Sequence, residues 1–217
     1  RYLKVSNKSN QKLLILGSEQ IIGNALKQNR VVNNTTLVPE QTTIMLSVSC
    51  CEKNRWSPAV SNNICTSESL YFTKGRINNL VDIFDNNKTD QFKIWEDIAE
   101  KLDEFNTKSF TGTLEDTYKK NKIYFDEITN YFTINENNVG VVAAIGNRLA
   151  NVEIFSSNKL LKMYFPKIIK SLIFECYKKT SQNYLLGLKD VYKLFRLIEF
   201  SEKKLHKSHN DCLGEEI

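Results

Sequence analysis

The sequence predicts an α+β domain, a mostly antiparallel sheet packed by about four helices, and three observations predict it. Strand-like runs lead the chain, segments with apolar residues at three- and four-residue steps follow, and one hairpin interrupts the helical part. That order separates strands from helices instead of alternating them, which is the signature of α+β architecture. A chain of 217 residues supports one good core, so residues 1–217 read as a single domain.

Tyr2, Leu3 and Val5 suggest a first strand, and Asn7 to Asn10 a polar turn. Lys12 to Ile22 reads as one long strand, with Gly17 marking a bulge or a close backbone approach. Val31-Val32 and Thr42 to Cys50 are further strands, separated by a turn at Pro39-Glu40. Residues 57–90 read as a loop-rich insertion, in which Leu70 to Phe84 shows no decisive period. Gln91 to Phe105 is a helix, with Asp90 as its N-cap and Trp95, Ile98, Leu102 and Phe105 on one face. Thr113 to Phe132 is a second helix, carrying Leu114, Tyr118, Phe125, Ile128 and Phe132 on its apolar side. Val139 to Phe155 is a hairpin turning at Gly146-Asn147. Ser156-Ser157 caps a third helix whose wide apolar stripe makes it the central one, with Pro166 expected to kink or restart it. Leu188 to Phe200 is a fourth helix, and residues 201–217 form a charged, mobile-looking C-terminal segment.

Composition excludes several classes. Hydrophobic residues are 41% and charged residues 25%, which is ordinary for a soluble globular domain. The net charge of +5 suits an anionic ligand without demanding nucleic acid, and the lysine clusters read as solvated faces. No apolar run approaches the roughly 20 residues of a membrane span. Five cysteines are an odd number without metal-type spacing, so reduced thiols in a cytoplasmic setting are expected. His206 and His209 sit among lysines, which repel a metal ion; neither a metal nor a cofactor is expected.

The stretch with chemical content runs from Gly23 to Trp56. Lys27, Gln28, Asn29 and Arg30 supply two cations and two amides, with Asn33 just beyond. Glu52, Arg55 and Trp56 close the stretch with a carboxylate, a guanidinium and a stacking face. Arginine reads phosphate or carboxylate as a fork, and amides read both edges of a base or ribose. Such a set suits a nucleotide-like anionic small molecule as partner; the competing reading is a buried polar network pinning strands together. Two residues are candidates for catalysis. Glu52 is a candidate acid/base, against a salt bridge holding the sheet, and Glu19 carries the same two readings. Cys50 is a candidate nucleophile beside Arg55, against a small buried residue with no histidine nearby in sequence. Together these residues outline one shared concavity between the Gln28 to Asn33 and Cys50 to Trp56 blocks.

The same residues carry a resemblance. Gly17-Ser18-Glu19, Gly23, the run from Lys27 to Thr35, Val38-Pro39, Val48 to Glu52 and Arg55-Trp56 resemble the signature of the ARG- and rhodanese-phosphatase-superfamily-associated proteins. Gln91 with Trp95 and the segment from Gly140 to Phe155 also fit that pattern, so the resemblance spans Val5 to Tyr177. Ser47 departs from it where proline is expected, and Cys51 where a small aliphatic residue is expected. The resemblance implies a link to ADP-ribose or phosphate metabolism, hence recognition, with processing in prospect, of an ADP-ribose-like or other phosphorylated nucleotide metabolite. A non-enzymatic interaction domain is the alternative.

Overall fold

The computed structural model describes residues 1–23, 28–55, 64–86, 88–177, 186–203, 206–207 and 215–216. The strands before the first helix are β1 (Tyr2–Ser6), β2 (Leu13–Ile15), β3 (Gln20–Gly23), β4 (Arg30–Val32), β5 (Thr36–Val38), β6 (Thr43–Cys50) and β7 (Ile64–Thr66). Four helices follow: α1 (Thr73–Asn86), α2 (Gln91–Glu104), α3 (Leu114–Lys120) and α4 (Lys122–Asn130). The hairpin β8 (Gly140–Ile145) and β9 (Arg148–Ile154) precedes α5 (Asn158–Cys176) and α6 (Leu188–Phe200). A short pair, β10 (His206–Lys207) and β11 (Glu215–Glu216), completes the described chain.

The main sheet has the order β1-β6-β4-β3-β7, and every pairing in it is antiparallel. This is the expected α+β class, with two differences in the helices. Residues 73–86, inside the stretch read as a loop-rich insertion, form α1. The helix expected from Thr113 to Phe132 is divided at Asn121, which serves as both the C-cap of α3 and the N-cap of α4. The long strand expected from Lys12 to Ile22 is also two strands, in two different sheets. Between them Ser18 takes a left-handed φ of 75°, and a Cβ on Gly17 would lie 3.1 Å from the Thr35 nitrogen. A side chain at position 17 would therefore push against the 34–35 backbone, so the close approach requires glycine.

Alternation along the strands divides the apolar residues between two cores. Val31 and Cys51 face the helices and join Leu70, Ile94, Leu114, Leu161 and Ile168 in the larger one. Val32, Ile44, Leu46 and Val48 face the other way and bury Val38 of the β2–β5 ribbon. The centre of the larger core is aromatic: Phe125 is fully buried, with ring centroids 5.8 Å from Phe105, 4.9 Å from Phe174 and 5.6 Å from Tyr118. α5 is the central helix, with ten buried residues. It runs unbroken through Pro166, where the packing of its ten buried residues offsets the lost N–H bond and the ring's clash with the preceding turn. α6 matches its expected span but has no buried residue.

Polar groups tie the helices to one another. The Tyr118 hydroxyl donates to Glu68 at 2.5 Å and accepts from Lys170 at 2.8 Å and Lys122 at 3.1 Å. The Tyr118 hydroxyl and the Lys170 ammonium hold the Glu68 carboxyl down at about 2, against an ordinary value of 4.5. A folded-state value below the unfolded one contributes stability that is present above pH 4.5 and lost as pH falls towards 2. Glu68→Gln should therefore flatten the acid limb of the stability curve across that window. Urea midpoints measured from pH 5 to pH 2 test this; parallel curves for the two proteins would show that Glu68 does not contribute. The Glu68 side chain is largely exposed, so the change should be small.

Candidate functional site

The two polar blocks meet because β4 pairs with the end of β6, with Arg30 opposite Cys50 and Val31 opposite Ser49. The ladder continues past both strands: the Cys51 N–H donates to the Asn29 carbonyl at 3.0 Å. Lys27 and Trp56 lie outside the described residues.

Among the described residues the blocks meet in two networks rather than one, because side chains alternate across a strand. Arg30 and Asn29 leave opposite sides of the chain and enter different networks. On one side, Arg30 donates to the Gln28 amide oxygen at 3.2 Å and to the Cys50 sulfur at 2.7 Å. Arg1 donates to the same sulfur. On the other side, the Glu52 carboxylate accepts from the Asn29 backbone N–H at 2.9 Å and from Arg55 at 2.9 and 3.0 Å. Arg55 also donates to the Asn29 side-chain oxygen at 3.2 Å, and the Asn29 amide nitrogen donates to Thr113 at 3.3 Å. Gln28 spans the two blocks by donating to the Lys53 carbonyl at 3.3 Å.

Burial separates the roles. Asn29 is 2% exposed and Glu52 1% exposed. The Glu52 backbone bridges Thr113, so this carboxylate sits where β6 meets the start of α3. Cys50 is fully buried. Cys51, beside it, faces the larger core, where burial and then the neighbouring Glu52 charge push its thiol upward. Glu19 is also a partner in an ion pair, accepting from Lys167 at 2.8 and 3.0 Å; burial raises its carboxyl and Lys167 pulls it back.

Gln91, the first residue of α2, holds the Cys50 backbone from the β1 side. Its amide oxygen accepts from the Cys50 N–H at 2.8 Å, and its amide nitrogen donates to the Cys50 carbonyl at 2.7 Å. Along the same edge of β6, Tyr2 pairs with Ser47 and the Arg1 carbonyl accepts from the Val48 N–H. The Gln91 side chain makes the pair of bonds that a facing strand residue would make at Cys50.

Beside Gln91, at the junction of α1 and α2 with the sheet, is a recess of about 170 Å³. Its walls include Arg1, Asn33, Ser47, Ser49, Lys88 and Thr89. Of the candidate ligand-binding and catalytic residues among the described ones, Asn33 lines it. Two features of the sequence point there: Ser47 and Ser49 share one face of β6 by the two-residue period, and Thr89 directly precedes the N-cap of α2. Among the described residues, no group of three or more His, Cys, Asp or Glu is placed to hold a metal ion, and no helix is long and apolar enough to cross a membrane.

The model of the ARG and rhodanese-phosphatase-superfamily-associated protein domain matches residues 1–215. No curated protein and no solved structure matches the chain. With the match running over nearly its whole length, the chain belongs to the ARG and rhodanese-phosphatase-superfamily-associated protein family.

Proposed function

We propose that the protein recognises an ADP-ribose-like or other phosphorylated nucleotide metabolite. One observation carries the reading: the guanidinium groups of Arg1 and Arg30 converge on Cys50, next to the Gln28 amide, and neither has a carboxylate partner among the described residues. Two cations without acidic partners at one strand end attract an anion, and an adjoining amide reads a ribose or base edge. Lys27 and Trp56 complete the proposed set, with Trp56 as the stacking face. The family's association with the rhodanese-phosphatase superfamily supports a link to phosphate chemistry. Processing would fall to Glu52 or Cys50, and both are buried, so recognition leads the reading.

Arg30→Ala tests it, with calorimetric titration of ADP-ribose. The intact protein should bind, and the variant should lose at least about tenfold in affinity. Its melting temperature should stay within about 4 °C of the parent, as a loss of about 1 kcal/mol implies. No binding to the intact protein, or unfolding of the variant, would count against the reading. A second reading, an interaction domain whose polar block is structural, is favoured by the Asn29–Glu52–Arg55–Thr113 network, which satisfies its members internally at near-complete burial.

A further inference from the structure

We propose that the recess between β1, β4, β6 and the α1–α2 junction is a separate binding site for a phosphorylated sugar. Its walls carry a continuous hydrogen-bonded chain. The Asn33 amide nitrogen donates to Ser47 Oγ at 3.0 Å, and Ser49 Oγ donates to the Asn33 amide oxygen at 2.8 Å. Ser49 Oγ is also 2.6 Å from Thr89 Oγ1, and with its own hydrogen committed to Asn33 it accepts there from Thr89. The order of donation is therefore fixed as Thr89 to Ser49 to Asn33 to Ser47. It leaves the Ser47 hydroxyl hydrogen and the second Asn33 N–H as donors, and the Thr89 oxygen as acceptor. An acceptor and two donors along one wall match the hydroxyl groups of a sugar.

The charge is of one sign. Arg1 and Lys88 are walls of the recess, and no acidic residue is among them. Lys88 is exposed and has no ion-pair partner among the described residues. The nearest acidic residue in sequence, Asp90, is committed to capping α2, accepting from the N–H groups of Phe92 and Lys93. With no acid in the wall itself, the exposed Lys88 ammonium favours a phosphate group at the mouth of the recess. At about 170 Å³ the recess is smaller than the 300–1,000 Å³ of a drug-sized pocket. It suits one sugar with its phosphate, free or as the end of a larger nucleotide.

The recess adjoins the Arg1–Arg30 pair through Arg1 but does not include Arg30, so Arg30→Ala and Lys88→Glu let the two readings fail separately. The probe is ribose 5-phosphate, titrated calorimetrically beside ribose and ADP-ribose. Ribose 5-phosphate should bind more tightly than ribose, and more weakly as salt is raised. Lys88→Glu, at an exposed position that leaves folding intact, should weaken it at least about tenfold. Thr89→Val keeps the shape and removes the hydroxyl, and should weaken it about threefold. Arg30→Ala should leave it within about twofold. Tighter binding of ADP-ribose than of ribose 5-phosphate, abolished by Lys88→Glu, would identify the occupant as the end of a nucleotide; the reverse order would identify a free sugar phosphate. Absence of ribose 5-phosphate binding, equal affinity for ribose, or indifference to both Lys88→Glu and Thr89→Val would overturn the proposal.

Discussion

Phe125→Ala should lower stability by about 3 to 5 kcal/mol, and with it the melting temperature by about 6 to 20 °C. Phe125 is fully buried in α4 and touches rings from three other elements: Phe105 at the end of α2, Tyr118 of α3 and Phe174 of α5. Removing the ring leaves a void that these neighbours cannot close together, because each is fixed by its own helix. Thermal unfolding followed by far-UV circular dichroism measures the effect. Phe125→Leu should recover more than half of the loss, since it refills most of the volume. A Phe125→Ala protein melting within a degree or two of the parent would show that the aromatic centre does not hold the helices.

Glu52→Ala should cost about 2 to 4 kcal/mol, close to the usual cost of breaking a buried ion pair. The substitution strands the Arg55 guanidinium and leaves the buried Asn29 N–H without its acceptor. Arg55 is 18% exposed, so water relieves part of the charge, which places the cost below the fully buried case. Glu52→Gln keeps an oxygen for the Asn29 N–H and should cost about half as much. Urea unfolding of the three proteins distinguishes these outcomes. Equal midpoints would remove the structural role of Glu52 and return it to the candidates for proton transfer.

Much of the fold was legible wherever burial followed the ordinary rule. The Asp90 and Ser157 caps, the β8–β9 hairpin and its Gly146 turn, and the span of α6 all follow from local sequence chemistry. Gly146 takes a φ of 63°, as that two-residue turn requires. α1 was illegible because it inverts the rule. Its buried residues are Thr73, Gly75 and Asn79, while Ile77 and Val81 are about half exposed, so the apolar spacing does not mark its inner face. The missing helix had a direct cost at the site. Without α1 there is no α1–α2 junction, and Lys88 and Thr89 read as part of a polar loop. The pairing of the two polar blocks could be anticipated from their strand-like flanks. The division between Arg30 and Arg55 could not, because it depends on which of two adjacent residues faces the helices. That choice is fixed by the placement of Val31 and Val32 in different cores.

The Gln91 amide at Cys50 has a consequence for how the protein behaves in crowded solution. The Cys50 N–H and carbonyl point away from β4, and left unpaired they would be an open strand edge, a template for another chain to join. A single side chain at the head of α2 occupies both groups, so that edge has nothing left to offer an incoming strand. The helix thereby guards the sheet against intermolecular association at Cys50.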